Sequence, residues 1–455
     1  MKRCKWTGLL VMLCAMLLFA CRTEAHAKTV TGKNGKNLTW KIEDGVLTLS
    51  GKGDMKGCGH KKMHSDGDLE CYYENKEDWW EDYLYEIKSV VIEEGVTSIA
   101  PHAFSRLPNA KTISIPESVT SIGHKAFSDS GFQTIAIPDN AKDIEEAAFG
   151  YCYDLVSVKL PRNIKNIPDA MFTGCDSLKQ VSIPQTVKTI GDYAFVNCEQ
   201  LAKVTWEGQS KIQKIGREAF AVCNIKKLRI PATVKKIGIA GVSGTHAIQA
   251  DKGNRKYKSK NGVLFSKDGK TLVCYPFKKK GSTYRIPKGV KAIGAYAFSS
   301  NGLWGDNNQY LKKVIMPDSV TAVKKGAFDG AEKLKTVRFS KNLKRIEQDA
   351  FGCYLTAIKL PASVEYIGKH AFDCFYMKGT IVIPKNVKEI QYEAFGNAHN
   401  IKKVVIKSKK LKKVAKEIIH SINKVSFILP KSKKDSYQKF FTKKKQGKNM
   451  TFTYK

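Results

Sequence analysis

The stretch Val181–Leu201, VSIPQTVKTIGDYAFVNCEQL, contains every element of a phrase that recurs along this 455-residue chain. Its most constant mark is an Ala-Phe or related pair, which ends at Phe104, Phe127, Phe149, Phe172, Phe195, Phe220, Phe298, Phe328, Phe351, Phe372 and Phe395. Most successive spacings are 21 to 25 residues, and one gap of 78 residues precedes Phe298. Self-similarity at this period predicts a solenoid in which each copy of the phrase forms one coil.

The pattern inside one copy predicts a strand with one buried face. Val181 and Ile183 alternate with Gln180 and Ser182, which is the period-two pattern of a half-buried strand. The proline that follows has no N–H to donate, so the strand ends there. The later apolar residues, including the Ala-Phe pair, point inward, and stacked coils bury them jointly. We therefore interpret them as core residues and not as ligand contacts.

The complete phrase, V-x-I-P-x-x-V-x-x-I-G-x-x-A-F-x-x-C-x-x-L, resembles the BspA-type leucine-rich repeat of bacterial surface proteins. The resemblance covers roughly residues 85 to 430 and extends to LTWKIEDGVLTLSGKGDM near the N-terminus and to NGVLFSKDGKTLVCYP in the 78-residue gap. It implies a curved leucine-rich repeat solenoid, α/β-type or mostly β, of about 12–14 coils of roughly 23 residues. An N-terminal β-hairpin cap and a basic C-terminal cap would close its ends. It also implies an exported, non-enzymatic recognition or adhesion protein, without naming a ligand.

Residues 1–27 are interpreted as a signal peptide, cleaved after Ala27. A basic start precedes an apolar run from Gly8 to Phe19, and Ala25-His26-Ala27 matches the cleavage pattern. The run is too short to span a bilayer as a helix, and no later segment qualifies. A lipoprotein site at Cys21 is the alternative. Either way, the sequence predicts a secreted or cell-surface protein.

The remainder divides into three predicted segments. These are an N-terminal β cap with a loop insertion at 28–84, the solenoid at 85–400 with a hairpin insertion at about 245–282, and a lysine-rich C-terminal repeat and cap at 401–455. Within the last segment, residues 425–429 are predicted as a last strand and residues 432–445 as a basic amphipathic helix.

The charge is strongly basic, with 78 Lys and Arg against 42 Asp and Glu and a net charge of +36. Residues 401–455 alone contain 18 lysines and two acids. Outside a cell, this balance favours an extracellular protein, an acidic glycan or a cell-wall polymer as partner, and not a nucleic acid. A solvated lysine surface without a dedicated ligand is the alternative.

Exposed strand residues are expected to form columns on the concave face. Early coils carry small and hydroxyl-bearing residues there, and later coils carry basic ones. The candidate ligand-binding residues are Lys203, Lys227, Arg229, Arg285, Lys313, Arg338, Lys359 and Lys403. We expect an extended acidic ligand to lie across several coils at these positions.

A second candidate is the loop that lengthens the repeat before Leu311. Its Trp304, Asp306 and Tyr310 could hold a sugar ring by stacking and polar contacts. A tolerated insertion without function is the alternative.

Six cysteines follow the repeat phenylalanine by two or three residues and are predicted to be small buried core residues with free thiols, although a disulfide ladder stays open. They are Cys152, Cys175, Cys198, Cys223, Cys353 and Cys374. Near the N-terminus, Cys58, His60, His64 and Cys71 admit a zinc site, a Cys58–Cys71 disulfide or an ordinary loop. We predict no metal and no other cofactor.

No catalytic acid, base and nucleophile stand out from the repeat, so the sequence predicts no enzyme. Two functions stay open. One is an adhesion protein that binds its ligand on the solenoid face. The other is a structural envelope-associated spacer, which its basic C-terminal segment holds to anionic cell-wall polymers.

Overall fold

The structure is a computed structural model that describes residues 29–57, 60–63, 69–72, 80–299, 310–353, 355–373 and 376–455. It is a β-solenoid of about 15 coils of ~23 residues with little helix. Short parallel strands of successive coils pair into two ladders, which run along two sides of the solenoid. The predicted leucine-rich repeat solenoid is thereby confirmed, although it has about 15 coils and not the predicted 12–14.

An antiparallel sheet covers the N-terminal end. Its region contains β1 Val30–Asn34, β2 Leu38–Glu43, β3 Val46–Gly51, β4 Gly53–Asp54, β5 His60–Met63, β6 Leu69–Tyr72 and a 3-10 helix at Glu81–Tyr83. β1, β2 and β3 form a meander, in which Asp44 and Gly45 make the turn between β2 and β3 with φ of 53° and 79°. Positive φ at both residues is what an Asp-Gly hairpin turn requires.

Each coil of the first half contributes one strand to each ladder. These strands are β7 Ser89–Ile92, β8 Val96–Ile99, β9 Thr112–Ser114, β10 Ser121–Ile122, β11 Thr134–Ala136, β12 Asp143–Ile144, β13 Ser157–Lys159, β14 Asn166–Ile167, β15 Gln180–Ile183, β16 Thr189–Ile190, β17 Lys203–Trp206, β18 Lys214–Ile215, β19 Leu228–Ile230, β20 Lys236–Ile237 and β21 Ile248–Ala250. Odd-numbered strands lie in what we call the first ladder, and even-numbered strands lie in the second ladder. β3 pairs in parallel with β7, so the N-terminal sheet continues the first ladder.

The 78-residue gap contains an antiparallel insertion of β22 Tyr257–Lys260, β23 Val263–Ser266 and β24 Thr271–Cys274. This insertion lies between two hydrophobic cores. Leu264 and Cys274 belong to the core of the first half. Val263, Phe265 and Leu272 belong to the core of the second half. Because side chains alternate along a strand, β23 directs Leu264 to one core and its two neighbours to the other. β24 contacts both cores across a register shift in its pairing with β23.

The second half continues both ladders. Its strands are β25 Thr283–Arg285, β26 Ala292–Ile293, β27 Lys313–Ile315, β28 Ala322–Val323, β29 Thr336–Arg338, β30 Arg345–Ile346, β31 Tyr366–Ile367, β32 Lys378–Ile383, β33 Glu389–Ile390, β34 Asn400–Ile406 and β35 Lys413–Val414. The first ladder contains β25, β27, β29, β32 and β34. The second ladder contains β26, β28, β30, β31, β33 and β35, and β24 joins it through β26.

The C-terminal end differs from the sequence expectation. After β36 Val425–Leu429, a 3-10 helix at Lys431–Lys433 and single-turn helices at Lys434–Tyr437 and Lys443–Gln446 precede β37 Met450–Tyr454. We expected one amphipathic helix over 432–445 and a last strand at β36. Instead, Thr442 accepts a hydrogen bond from the N–H of Lys445 and starts a separate helix. β37 then pairs with β36 and adds a coil.

Stacked aromatic rings run through both cores. The first stack begins at Trp80 and continues through the repeat phenylalanines to Phe220, with centroids 5.0–5.7 Å apart. The second begins at Tyr275 and ends at Phe395, with centroids 4.6–5.6 Å apart. Each ring buries itself against the coils on both sides, so a coil depends on its neighbours for its stability.

The cysteine thiols donate hydrogen bonds to backbone carbonyl groups of this stack. Cys152, Cys175, Cys198 and Cys223 each donate to the carbonyl of the repeat phenylalanine in the preceding copy, at 3.1–3.2 Å. Burial raises the pKa of the Cys152 thiol to about 12. The predicted buried free thiols are present at these four coils. Cys353 is also buried, and Cys374 lies outside the described residues.

A residue two positions before the repeat phenylalanine adopts a left-handed backbone in coil after coil. Examples are His102, Ala170 and Tyr193, with φ of 58°, 51° and 60°. The N–H of Tyr193 donates to the carbonyl of Arg217 in the next coil at 2.8 Å, and Ala170 makes the same bond to Asp192. This third line of hydrogen bonds offsets the strain of about 1–2 kcal/mol per residue.

Candidate ligand-binding surface

The exposed side of the first ladder has two rows of side chains. In β15, Val181 and Ile183 are buried, whereas Gln180 and Ser182 are exposed. We call the residue before the first buried position the leading row, and the residue between the two buried positions the middle row. The register between β15 and β17 places Gln180 opposite Lys203, so each row continues from coil to coil.

All eight predicted residues are exposed and lie on these two rows. The leading row contains Lys203, Lys227, Lys313 and Lys403, and the middle row contains Arg229, Arg285, Arg338 and Lys359. The structure therefore places them on one side of the solenoid, although Lys227 and Lys359 lie outside the strands.

The register of β25, β27 and β29 sets the spacing of two of the arginines. Arg285 is opposite Ile315, and Ile315 is opposite Arg338. Since neighbouring strands are about 4.8 Å apart, the two arginine backbones are separated by about 10 Å. Together they can hold two anionic groups of one ligand that crosses three coils.

Arg229 differs from the other seven residues because its charge is compensated. Its Nε and a terminal nitrogen donate to the two carboxylate oxygens of Asp251 at 2.6 and 2.9 Å. This pairing raises the pKa of Arg229. Asp251 was not among the predicted residues, and it occupies in its copy the place that Pro231 takes in the preceding one.

The five predicted residues in the second half of the first ladder differ from Arg229, whose charge is paired. Among the described residues, none of Arg285, Lys313, Arg338, Lys359 and Lys403 has a carboxylate within ion-pair distance. The second ladder of the same half contrasts with this. There Lys388 pairs with Glu365 at 2.6 Å, and Lys413 pairs with Glu389 at 3.0 Å.

Apolar side chains interrupt the basic rows. Ile315 and Val382 occupy middle-row positions between the cations. Ile315 is buried, whereas Val382 is 38% exposed. Val405 follows at the corresponding position of β34 and is half-buried. The surface thus mixes cations with small apolar patches, which suits a protein ligand as well as an acidic glycan.

The other two candidate regions are described only in part. Tyr310 is 41% exposed, whereas Trp304 and Asp306 lie outside the described residues. Cys58 and His64 also lie outside them, and for His60 and Cys71 only the backbone of β5 and β6 is described. Within the described ranges, no three His, Cys, Asp or Glu side chains are grouped to hold a metal ion. No helix in those ranges is long and apolar enough to cross a bilayer.

One solved structure supports the fold, and two others are similar to this chain with lower scores. The pneumococcal vaccine antigen PcpA is 22% identical, with a TM-score of 0.61 over 94% of this chain and 98% of that chain. A leucine rich cell surface protein from Faecalibacterium prausnitzii is 22% identical, with a TM-score of 0.49 over 85% and 94% of the two chains. A leucine-rich repeat protein from Bacteroides ovatus is 18% identical, with a TM-score of 0.44 over 92% and 98%. No curated protein sequence matches this chain significantly.

The sequence profile of the BspA type leucine rich repeat region matches residues 82–202, 165–250, 270–374, 306–425 and 374–455, with six copies. These ranges cover all of residues 82–455 except 251–269, which contain most of the inserted hairpin. The chain therefore belongs to the family of BspA-type leucine-rich repeat proteins.

Proposed function

We propose that this chain is an exported, non-enzymatic adhesion protein, secreted or held at the cell surface, that binds its ligand on the first ladder. Arg285, Lys313, Arg338, Lys359 and Lys403 would contact the ligand directly, with Lys203 and Lys227 extending the site and Arg229 available once Asp251 releases it. A protein with an acidic patch or an acidic glycan fits this surface. The signal peptide ending at Ala27, with lipidation of Cys21 as the alternative, accounts for its export.

One observation carries this proposal: among the described residues, the five exposed cations in the second half of the first ladder have no carboxylate within ion-pair distance, whereas Lys388 and Lys413 of the second ladder do. A carboxylate partner, as Lys388 and Lys413 have, adds only about 0–1 kcal/mol to an exposed cation and occupies its hydrogen-bond donors. Guanidinium groups repeated at a fixed spacing, without internal partners, can instead donate in pairs to carboxylate or sulfate groups.

The test is charge reversal of Arg285→Glu together with Arg338→Glu in the mature chain. Binding to arrays of sulfated, sialylated and neutral glycans and to acidic host-type proteins is measured at about physiological salt. The matched control is Lys344→Glu with Lys412→Glu, which changes the net charge equally on the second ladder. Selective loss in the first variant supports the proposal, and equal binding by both variants and the unaltered chain refutes it.

The envelope-associated spacer is the second candidate, and one observation bears on it. The lysine-rich C-terminal residues are part of the fold, because Tyr437 is buried and accepts a hydrogen bond from the N–H of Leu411, while Gln446 is buried and donates to the carbonyl of Ala415. Deleting residues 401–455 would therefore expose the core. Substituting Lys433, Lys434, Lys443 and Lys444 by glutamine tests retention on cell walls without removing this cap.

A further inference from the structure

The second ladder carries a cluster of lysines that the sequence analysis did not identify. β14, β16, β18 and β20 form one four-stranded parallel sheet. Asn166, Thr189, Lys214 and Lys236 are in register across it. The residues just before them are Lys165, Lys188, Gln213 and Lys235. We call Lys165, Lys188, Lys214, Lys235 and Lys236 the lysine block.

The backbone fixes this block as a straight series. The N–H of Lys188 donates to the carbonyl of Lys165 at 2.7 Å, and the N–H of Gln213 donates to that of Lys188 at 2.8 Å. The N–H of Lys235 donates in turn to the carbonyl of Gln213 at 2.8 Å. Each step along the series is one strand spacing, about 4.8 Å, so the block extends for about 14 Å along the solenoid axis.

Few carboxylates compensate the block. Lys165, Lys188, Lys235 and Lys236 have no ion pair among the described residues, and Lys214 approaches Asp192 only at 3.8 Å. That carboxylate already accepts a hydrogen bond from the N–H of Arg217 at 2.9 Å. The Lys235 ammonium donates to the Gln213 amide oxygen at 3.2 Å, which leaves its charge uncancelled.

The same ladder is compensated further along, which argues against a general surface property. In the second half, the corresponding positions include Glu365 and Glu389, which pair with Lys388 and Lys413. Like charges on adjacent strands destabilise a sheet. The block keeps like charges on adjacent strands without the glutamates that the second half uses, so a ligand with negative charges would relieve a repulsion that the fold itself leaves uncompensated.

We propose that the lysine block is a second binding site, separate from the first ladder, for a linear phosphate polymer that lies along the solenoid axis. The block contains ammonium groups only, with no arginine to bind a planar carboxylate in two places and no exposed aromatic ring to stack on a sugar. Lysine binds phosphate as a point charge. A chain with one negative charge on each repeat, such as a phosphodiester-linked wall polymer, satisfies such a row without sugar contacts.

The site continues toward the inserted hairpin. The hydroxyl of Tyr257 accepts a hydrogen bond from the N–H of Ile237 at 3.0 Å, so β22 lies beside β20. β22 and its flank add Lys256, Lys258 and Lys260, all exposed. A polymer longer than the block therefore meets further cations in the direction of the hairpin, and affinity should increase with polymer length.

The experiment uses the mature chain with long-chain inorganic polyphosphate as the probe and tripolyphosphate as the short one. The test variant is Lys165→Gln, Lys188→Gln, Lys235→Gln and Lys236→Gln. The matched control is Lys344→Gln, Lys388→Gln, Lys412→Gln and Lys413→Gln, which removes the same charge from the compensated part of this ladder. Circular dichroism checks folding, and the pair Lys188→Gln with Lys235→Gln replaces the fourfold variant if that variant does not fold.

We expect the unaltered chain to bind the long polymer more tightly than tripolyphosphate at about 0.15 M salt. Each lost contact reduces affinity by a factor of about two, so the test variant should bind about sixteenfold more weakly. For the test variant, the slope of log Kd against log salt concentration should be smaller by about 3, because each of the four lost contacts lowers this slope by roughly 0.7. The control should change little.

Three results would overturn this assignment. Equal losses in the test and control variants would show that net charge alone governs binding. Failure of the unaltered chain to bind polyphosphate at physiological salt would remove the site altogether. Tighter binding of a sulfated polysaccharide than of polyphosphate through the same lysines would exclude a phosphate polymer. Because none of these variants alters Arg285 or Arg338, they leave the test of the first ladder independent.

Discussion

Replacing Phe195 by leucine tests how much the aromatic stack contributes to the stability of the solenoid. Phe195 is fully buried between Phe172 and Phe220, at centroid distances of 5.4 and 5.3 Å and with interplanar angles of 16° and 5°. Aromatic pairs contribute about 0.5–1.5 kcal/mol beyond the area that they bury. Loss of two such pairs should therefore lower the free energy of unfolding by about 1–3 kcal/mol, in addition to a small cavity.

Phe132 provides the matched control. It is equally buried in the same core, but it makes a single edge contact, with Phe127 at 6.1 Å. Phe132→Leu creates a cavity of similar size and removes one aromatic pair, so its cost should be lower by about 1 kcal/mol. Urea unfolding followed by circular dichroism measures both variants. If Phe132→Leu destabilises the chain as much as Phe195→Leu, stacking adds nothing to burial and the reasoning is wrong.

Three further predictions concern the thiols, the left-handed positions and a buried carboxyl group. Burial raises the pKa of the Cys198 thiol well above its ordinary value. A maleimide reagent should therefore label Cys198 only after unfolding, which peptide mapping measures. Labelling of Cys198 in the folded chain would contradict its burial. Ala170 has φ of 51°, so Ala170→Gly should raise the free energy of unfolding by about 1 kcal/mol. The control Ala194→Gly should lower this free energy. If Ala170→Gly does not stabilise the chain, the backbone strain is absent. Burial, followed by the charge of Asp349, raises the pKa of Asp329 to about 6. The folded state then binds this proton more tightly than the unfolded state, so stability falls as the pH rises from about 4 through 6. Asp329→Asn should stabilise the chain at about pH 7.5 and bring no gain at about pH 4; an equal effect at both pH values would show that ionisation is not the cause.

The sequence predicted the features that depend on a long repeat. The period located the coils, and the alternation of Val181 and Ile183 with polar residues located the first ladder. It did not predict the second ladder, because a strand of two residues such as Thr189–Ile190 is too short to show alternation. The lysine block was missed for the same reason, although its members stand one or two residues before the isoleucine of an Ile-Gly or Ile-Pro pair.

Backbone conformation was the other unpredicted feature. The left-handed positions are occupied by residues as different as His102, Ala170 and Tyr193, so residue type gives no signal. The hydrogen bond to the next coil holds the conformation, and that bond exists only after the coils stack. The Arg229–Asp251 pair likewise depends on the register of neighbouring coils, which the spacing of two residues 22 apart does not reveal.

The inserted hairpin marks the boundary between the two hydrophobic cores, and this boundary falls between two adjacent residues. Leu264 packs into one core, and the next residue, Phe265, packs into the other. An array of this kind normally passes stability only between adjacent coils. Damage at one of these two neighbours should therefore begin unfolding in one half, and damage at the other should begin it in the opposite half. β23 is thus a strand that both hydrophobic cores share, and the two halves stay folded together only while this strand keeps its register.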